Sequence, residues 1–171
     1  STPDLLVRRS RVSQDISDEN FTARLSDSVA LVEAAYWALA ATRDVDVIPP
    51  GDDEQLADRI SFVLGEARNF DIEHGYYAQG VSLRTPAFAP ADWPSRTIPV
   101  RVAEYSGWCM EPHDLVLSKL GAGREKDLEF ARDVARLGLV RRDELLSRLE
   151  SVGCTDEHRR QIAARVHALF R

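Results

Sequence analysis

A valine-rich stretch, Asp44 to Ile48, ends at Pro49-Pro50-Gly51 and lies between two stretches of helical periodicity. Proline has no N–H for a strand ladder and restricts the residue before it, so this stretch is a short strand cut off by a turn. On its N-terminal side, Leu25, Val29, Val32, Tyr36, Leu39 and Ala40 recur at helical spacing from Phe21 to Ala41, with Ser26 or Asp27 able to cap the start. On its C-terminal side, Asp52 to Leu64 opens with an acidic turn, puts Leu56, Ile60, Val63 and Leu64 on one face, and ends near Gly65. Helix, strand, helix is the order predicted for the first third.

Residues 1–20 are polar and weakly periodic, and read as an arm or an edge strand around Leu5 to Val7. Phe70 to Pro94 is rich in glycine, proline and aromatic residues and reads as loop with at most one short strand. Thr97 to Val102 is a second strand, with Pro99 marking an edge or bulge. Glu111-Pro112-His113-Asp114 has the composition of a helix start, and that helix runs to the Gly121 and Gly123 break. Further helices are predicted for Glu125 to Leu137, Asp143 to Leu149 and Asp156 to Phe170. The predicted class is α/β (α+β): a core over residues 21–120 with a small mixed sheet flanked by helices, then a helical C-terminal part over residues 121–171.

With 171 residues, 44% of them hydrophobic, the chain can bury a core without staples. Its cysteines, Cys109 and Cys154, lack CxxC spacing, so neither a disulfide framework nor a zinc knuckle is implied, and a reducing cytoplasm is the expected location. No apolar run approaches the roughly 20 residues needed to cross a bilayer, so no membrane association is expected. The net charge of −6 argues against broad adhesion to nucleic acid, and any such role must rest on a local patch.

Asp44 and Asp46 carry the first candidate chemistry. Residues i and i+2 of a strand share a side, which puts the two carboxylates about 6–7 Å apart by twice the strand rise. They repel unless a cation lies between them, and magnesium, or manganese, suits one or two carboxylates combined with phosphate oxygens. The alternative is an edge strand with both aspartates in water and Val45 and Val47 inward. A second group, Lys119, Arg124, Lys126 and Asp127, has the point charges and fork that bind triphosphate oxygens; its alternative is a set of exposed ion pairs at a helix end. Glu104, Glu111 or Asp71 could add a third metal carboxylate. His113 is expected at the surface, Tyr76, Tyr77, Trp93 and Trp108 in the core, and Cys109 buried. Arg141, Arg142, Arg148, Arg159, Arg160, Arg165 and Arg171 alternate with acids, as on a solvated helical face, and are the one extended basic feature that an RNA could use.

The helix, the Thr42-Arg43 lead-in and the DVDV strand resemble the second motif of the nucleotidyltransferase fold. The strings GYYAQGVS (Gly75 to Ser82), GWCMEPHDLVLSKL (Gly107 to Leu120) and AGREKDLEFAR (Ala122 to Arg132) resemble bacterial nucleotidyltransferases of the DUF6036 type, which are related to the AbiEii and MenT toxins of toxin–antitoxin systems. The resemblance implies a metal-dependent transfer of a nucleoside monophosphate from a nucleoside triphosphate, with tRNA as acceptor and a cognate antitoxin as partner. It implies Asp44 and Asp46 as metal ligands and catalytic residues, Lys119 and Asp127 as catalytic, and Ser28, Thr42, Arg124 and Lys126 as nucleotide-binding. One departure stands out. Such enzymes open with a Gly-Ser turn whose amides cradle phosphate, whereas Leu25-Ser26-Asp27-Ser28 has no glycine and an added negative charge. An inactive nucleotidyltransferase-like binding or regulatory protein is therefore the rival reading.

Overall fold

The structure is a computed structural model that describes residues 44–102 and 105–171. The predicted helix from Phe21 to Ala41 and the arm before it lie outside the described residues. Two compact units are present: the first holds residues 44–85 and 99–108, the second residues 86–98 and 109–171.

In the first unit, β1 (Asp44–Val47) runs into a turn where Pro50–Asp52 forms a single 3₁₀ turn. Gly51 has φ 72° and Asp52 φ 54°, and the Leu83 amide donates to Asp52 Oδ1 at 2.7 Å. That bond fixes a left-handed conformation that an aspartate tolerates better than most residues. α1 (Glu54–Leu64) follows, its start capped by Asp53, which accepts from the Leu56 amide. A short helix, α2 (Asn69–His74), ends at Gly75 with φ 78°, and β2 (Tyr77–Gly80) then returns parallel to β1. A parallel return needs a crossover, and both helices supply it.

The register is Asp44 with Tyr77, Val45 with Ala78, Asp46 with Gln79 and Val47 with Gly80. Val45 and Ala78 are buried with Ile60, Leu64 and Phe70, and Val47, Leu56, Val63 and Tyr76 pack around them. Phe70 meets the Tyr76 ring edge-on at 5.2 Å between centroids. Ser61 ties the end of β2 to α1: its Oγ accepts from the Gly80 amide at 2.9 Å and donates to the Ala57 carbonyl at 3.1 Å. A Cβ at Gly80 would lie 2.0 Å from that same carbonyl oxygen, so only glycine lets strand and helix approach this closely.

A second pair of strands, β3 (Ile98–Val102) and β4 (Tyr105–Cys109), forms its own two-stranded sheet. Among the described residues the sheet content is therefore two separate pairs, small as expected. The second unit is built on α3 (Pro112–Ala122), which packs against α4 (Glu125–Arg136), α5 (Arg142–Leu149) and α6 (Asp156–Leu169). Val116, Leu117 and Leu120 of α3 are fully buried, as are Ala131, Leu145 and Val166 of the helices around it. Burying each leucine contributes about 1.5–3 kcal/mol. The mixed α+β class and the helical C-terminal part stand as the sequence predicts, whereas α2 occupies a stretch expected to be loop.

Gly80→Ala should destabilise the protein by about 2–4 kcal/mol, because the new methyl is forced against backbone rather than a movable side chain. Urea unfolding compared with the unmutated chain measures it.

Candidate functional site

On β1, alternation sends Val45 into the core and leaves Asp44 half-buried and Asp46 exposed on the opposite side. The parallel register sets Tyr77 beside Asp44 and Gln79 beside Asp46, while Ala78 and Gly80 face α1. The two aspartates therefore share one face of the β1–β2 pair with a tyrosine and a glutamine. Among the described residues no group of three or more histidines, cysteines, aspartates or glutamates is disposed to hold a metal ion. Two carboxylates on one strand face nonetheless suit magnesium, which needs only one or two from protein when phosphate oxygens and water complete its shell.

The basic group lies where α3 gives way to α4. Lys119 stands in the last turn of α3, Arg124 at the N-cap position of α4, and Lys126 and Asp127 in its first turn. Asp127 is only 2% exposed and is the hub: Oδ2 accepts from Arg124 Nε at 2.6 Å, Oδ1 accepts from the second guanidinium nitrogen at 3.2 Å, and Lys119 Nζ lies 3.5 Å from Oδ1. Burial alone raises this carboxyl's pKa, but Arg124 and Lys119 outweigh it and hold the group below the usual aspartate range. Arg124 keeps 60% of its side chain exposed, and Lys126 is exposed as well. The break between the helices needs Gly123, whose φ is 66° and whose added Cβ would strike the Arg165 guanidinium. Arg165 in turn donates to the Leu120 carbonyl at the end of α3. Its part in the helix junction has no signal in the sequence, since 45 residues separate the two partners.

The start of α3 corrects several expectations. His113 is buried, at 7% exposure, rather than at the surface. Its Nε2 accepts from the Arg141 amide at 3.0 Å, so the ring proton sits on Nδ1 and is donated to Glu111 Oε1 at 2.7 Å. Glu111 caps the helix by accepting from the His113 amide and also takes Arg148 at 2.5 Å, which commits it to structure rather than to a metal. Burial raises the Glu111 pKa, and the hydrogen bond from His113 with the charge of Arg148 more than reverses this. Asp114 is wholly buried; Arg96 grips it with two hydrogen bonds, at 2.9 and 3.0 Å, and Arg148 adds a third at 3.0 Å. Arg148, expected on a solvated face, thus has only 16% of its side chain exposed. Arg159 also leaves that face to donate to the Leu149 and Val152 carbonyls.

Asp71 is buried and accepts from the Ala67 amide at 3.0 Å, holding the turn before α2. Cys109 is buried, which pushes its thiol pKa up, and Tyr76 belongs to the first unit's core. Trp108, expected in the core, is 39% exposed. Ser28, Thr42 and Glu104 lie outside the described residues.

The acidic pair belongs to the first unit and the basic group, hinged on a buried aspartate, to the second. Residues 26–163 match the model of a family described as nucleotidyltransferase of unknown function (DUF6036). The chain belongs to this family. Comparison with curated proteins and with solved structures found no match. Among the described residues no helix is long and apolar enough to cross a membrane.

Removing one partner of a buried ion network leaves the others uncompensated, so Asp114→Asn should cost about 3 kcal/mol or more in a urea titration. A separate expectation concerns acid. A carboxyl whose folded pKa lies below its unfolded one contributes stability that is complete above the unfolded value and is lost as pH falls through the folded one. Glu111 and Asp127 are both lowered. Stability should therefore fall between about pH 5 and pH 2, and Glu111→Gln should flatten that dependence while lowering stability at neutral pH. Unfolding midpoints followed across pH read both effects.

Proposed function

We propose that the chain is a metal-dependent nucleotidyltransferase that moves a nucleoside monophosphate from a nucleoside triphosphate to an acceptor hydroxyl. The observation that carries this reading is the placement of Asp44 and Asp46 on one face of β1 in a chain of a nucleotidyltransferase family. Asp44 and Asp46 hold the divalent cation, magnesium or manganese. When bound, the cation neutralises charge on the triphosphate. One of the two carboxylates takes the acceptor's proton as its oxygen bonds to the α-phosphorus; the bond from that phosphorus to the β-bridging oxygen breaks, and pyrophosphate leaves. Lys119, Arg124 and Lys126 contact phosphate oxygens, and Asp127 fixes the directions of Lys119 and Arg124. Ser28 and Thr42 complete the nucleotide contacts.

The acceptor in this reading is the acceptor end of tRNA, and the role is that of a toxin held in check by a cognate antitoxin in the bacterial cytoplasm. The resemblance of the Gly75, Gly107 and Ala122 strings to relatives of the AbiEii and MenT toxins supports it. So do two free cysteines, which suit a reducing compartment, and the exposed Arg141, Arg142, Arg160 and Arg171.

The purified protein with magnesium, each labelled nucleoside triphosphate and total tRNA should place label in RNA. Asp44→Asn and Asp46→Asn should lower that transfer by about 100-fold or more, and Lys119→Ala by about tenfold or more. Triphosphate binding without any transfer would identify the inactive binding protein that the lack of glycine in Leu25 to Ser28 favours.

A further inference from the structure

The sequence singles out GYYAQG as a string of its own, and the fold gives it a place that the reading above does not use. Its last four residues, Tyr77–Gly80, form β2, the strand paired in parallel with the one that carries the aspartates. Register partners in a sheet project to the same face, and neighbouring strands lie about 4.8 Å apart. Gln79 is the register partner of Asp46 and is half-buried, while its neighbours Ala78 and Gly80 are turned to α1. The Ser61 bond to the Gly80 amide fixes the strand one residue beyond Gln79, so this position is held by rigid backbone rather than by a loop.

The residue type matters at this position. A primary amide offers two N–H donors and an acceptor without charge. A third carboxylate there would strengthen the hold on a cation and at the same time repel a triphosphate. Leucine would fill similar space with no donor.

We infer that Gln79 is a binding residue of the carboxylate face: its amide donates hydrogen bonds to the phosphate oxygens of a nucleotide whose cation Asp44 and Asp46 hold. The inference rests on the proposed metal role of the two aspartates. Asp46 and Gln79 act as neighbours with separate tasks, the first holding positive charge and the second recognising the anion without adding to the repulsion.

Two titrations of the full chain test it, both independent of turnover. Manganese chloride alone is followed by electron paramagnetic resonance, and the magnesium complex of each α,β-methylene nucleoside triphosphate by calorimetry. Gln79→Leu should leave manganese affinity within about twofold and weaken the nucleotide analogue by about tenfold or more, since hydrogen bonds to charged groups are lost. Gln79→Glu should tighten manganese by about tenfold through the added carboxylate and weaken the analogue. If manganese binds the unmutated chain and is lost in Asp46→Asn, yet both Gln79 variants bind analogue and manganese like the unmutated chain, the role of Gln79 is overturned and the metal role of the aspartates stands. Failure of the unmutated chain to bind manganese and the magnesium complex of every analogue overturns both.

Discussion

Everything in the first unit follows from the register of one parallel strand pair. Side chains alternate along a strand, so a slip of one residue between β1 and β2 would exchange the faces, putting Ala78 opposite an aspartate and Gln79 against α1. Three contacts prevent it. Val45 and Ala78 meet in a core closed by Ile60, Leu64 and Phe70; Gly80 fits the backbone of α1 as no other residue would; and Ser61 accepts the amide of that glycine. Packing on one face thereby decides which polar groups are assembled on the other. The carboxylate face is a consequence of the hydrophobic one.

The second unit is organised by a different constraint, the burial of charge. Asp114 has no exposure, and an isolated carboxylate there would be costly. Arg96 and Arg148 surround it, Arg148 brings in Glu111 and Glu144, and Glu111 brings in His113. The ion pairs themselves add little over a hydrophobic core of equal volume. What they supply is position: Arg96 comes from the segment before β3, Asp114 from α3 and Arg148 from α5, and all must be in place together. α3 is thereby held at its N-terminal end by this network and at its C-terminal end by Arg165 and Gly123. Lys119 is thus carried by a helix fixed at both ends.

The difference between what was legible in the sequence and what was not is one of range. The α1 stripe, its acidic start and its glycine end are local signals, and so are the Pro112 start of α3 and the Gly121 to Gly123 break; these elements lie where periodicity and capping place them. α2 was not legible because six residues of NFDIEH hold no periodicity to count. β4 was not, because Gly107 interrupts a five-residue stretch with little alternation. His113 and Arg148 were misplaced for another reason. Composition makes a histidine at a helix start and an arginine among acids look solvated, and only partners 28 and 34 residues away along the chain bury them. The spacing of Asp44 and Asp46 on one side was readable from the strand period, but Tyr77 and Gln79 beside them were not, since register is a property of two strands.

Carboxylates of both units serve the fold: Asp52, Asp53 and Asp71 of the first unit accept backbone amides. Asp114 and Asp127 are buried and bound by guanidinium groups from within their own unit, and Glu111 is shared between a histidine and an arginine. Such groups are committed to holding cationic side chains in place. On β1 the neighbouring strand presents a tyrosine and a glutamine in register with the aspartates. A net charge of −6 averages over these situations and hides the distinction. A strand that repeats aspartate at i and i+2 brings two carboxylates to one face, beside Tyr77 and Gln79. In the proposed function that face takes an exchangeable cation, and with it a ligand that arrives with one, as a nucleoside triphosphate does.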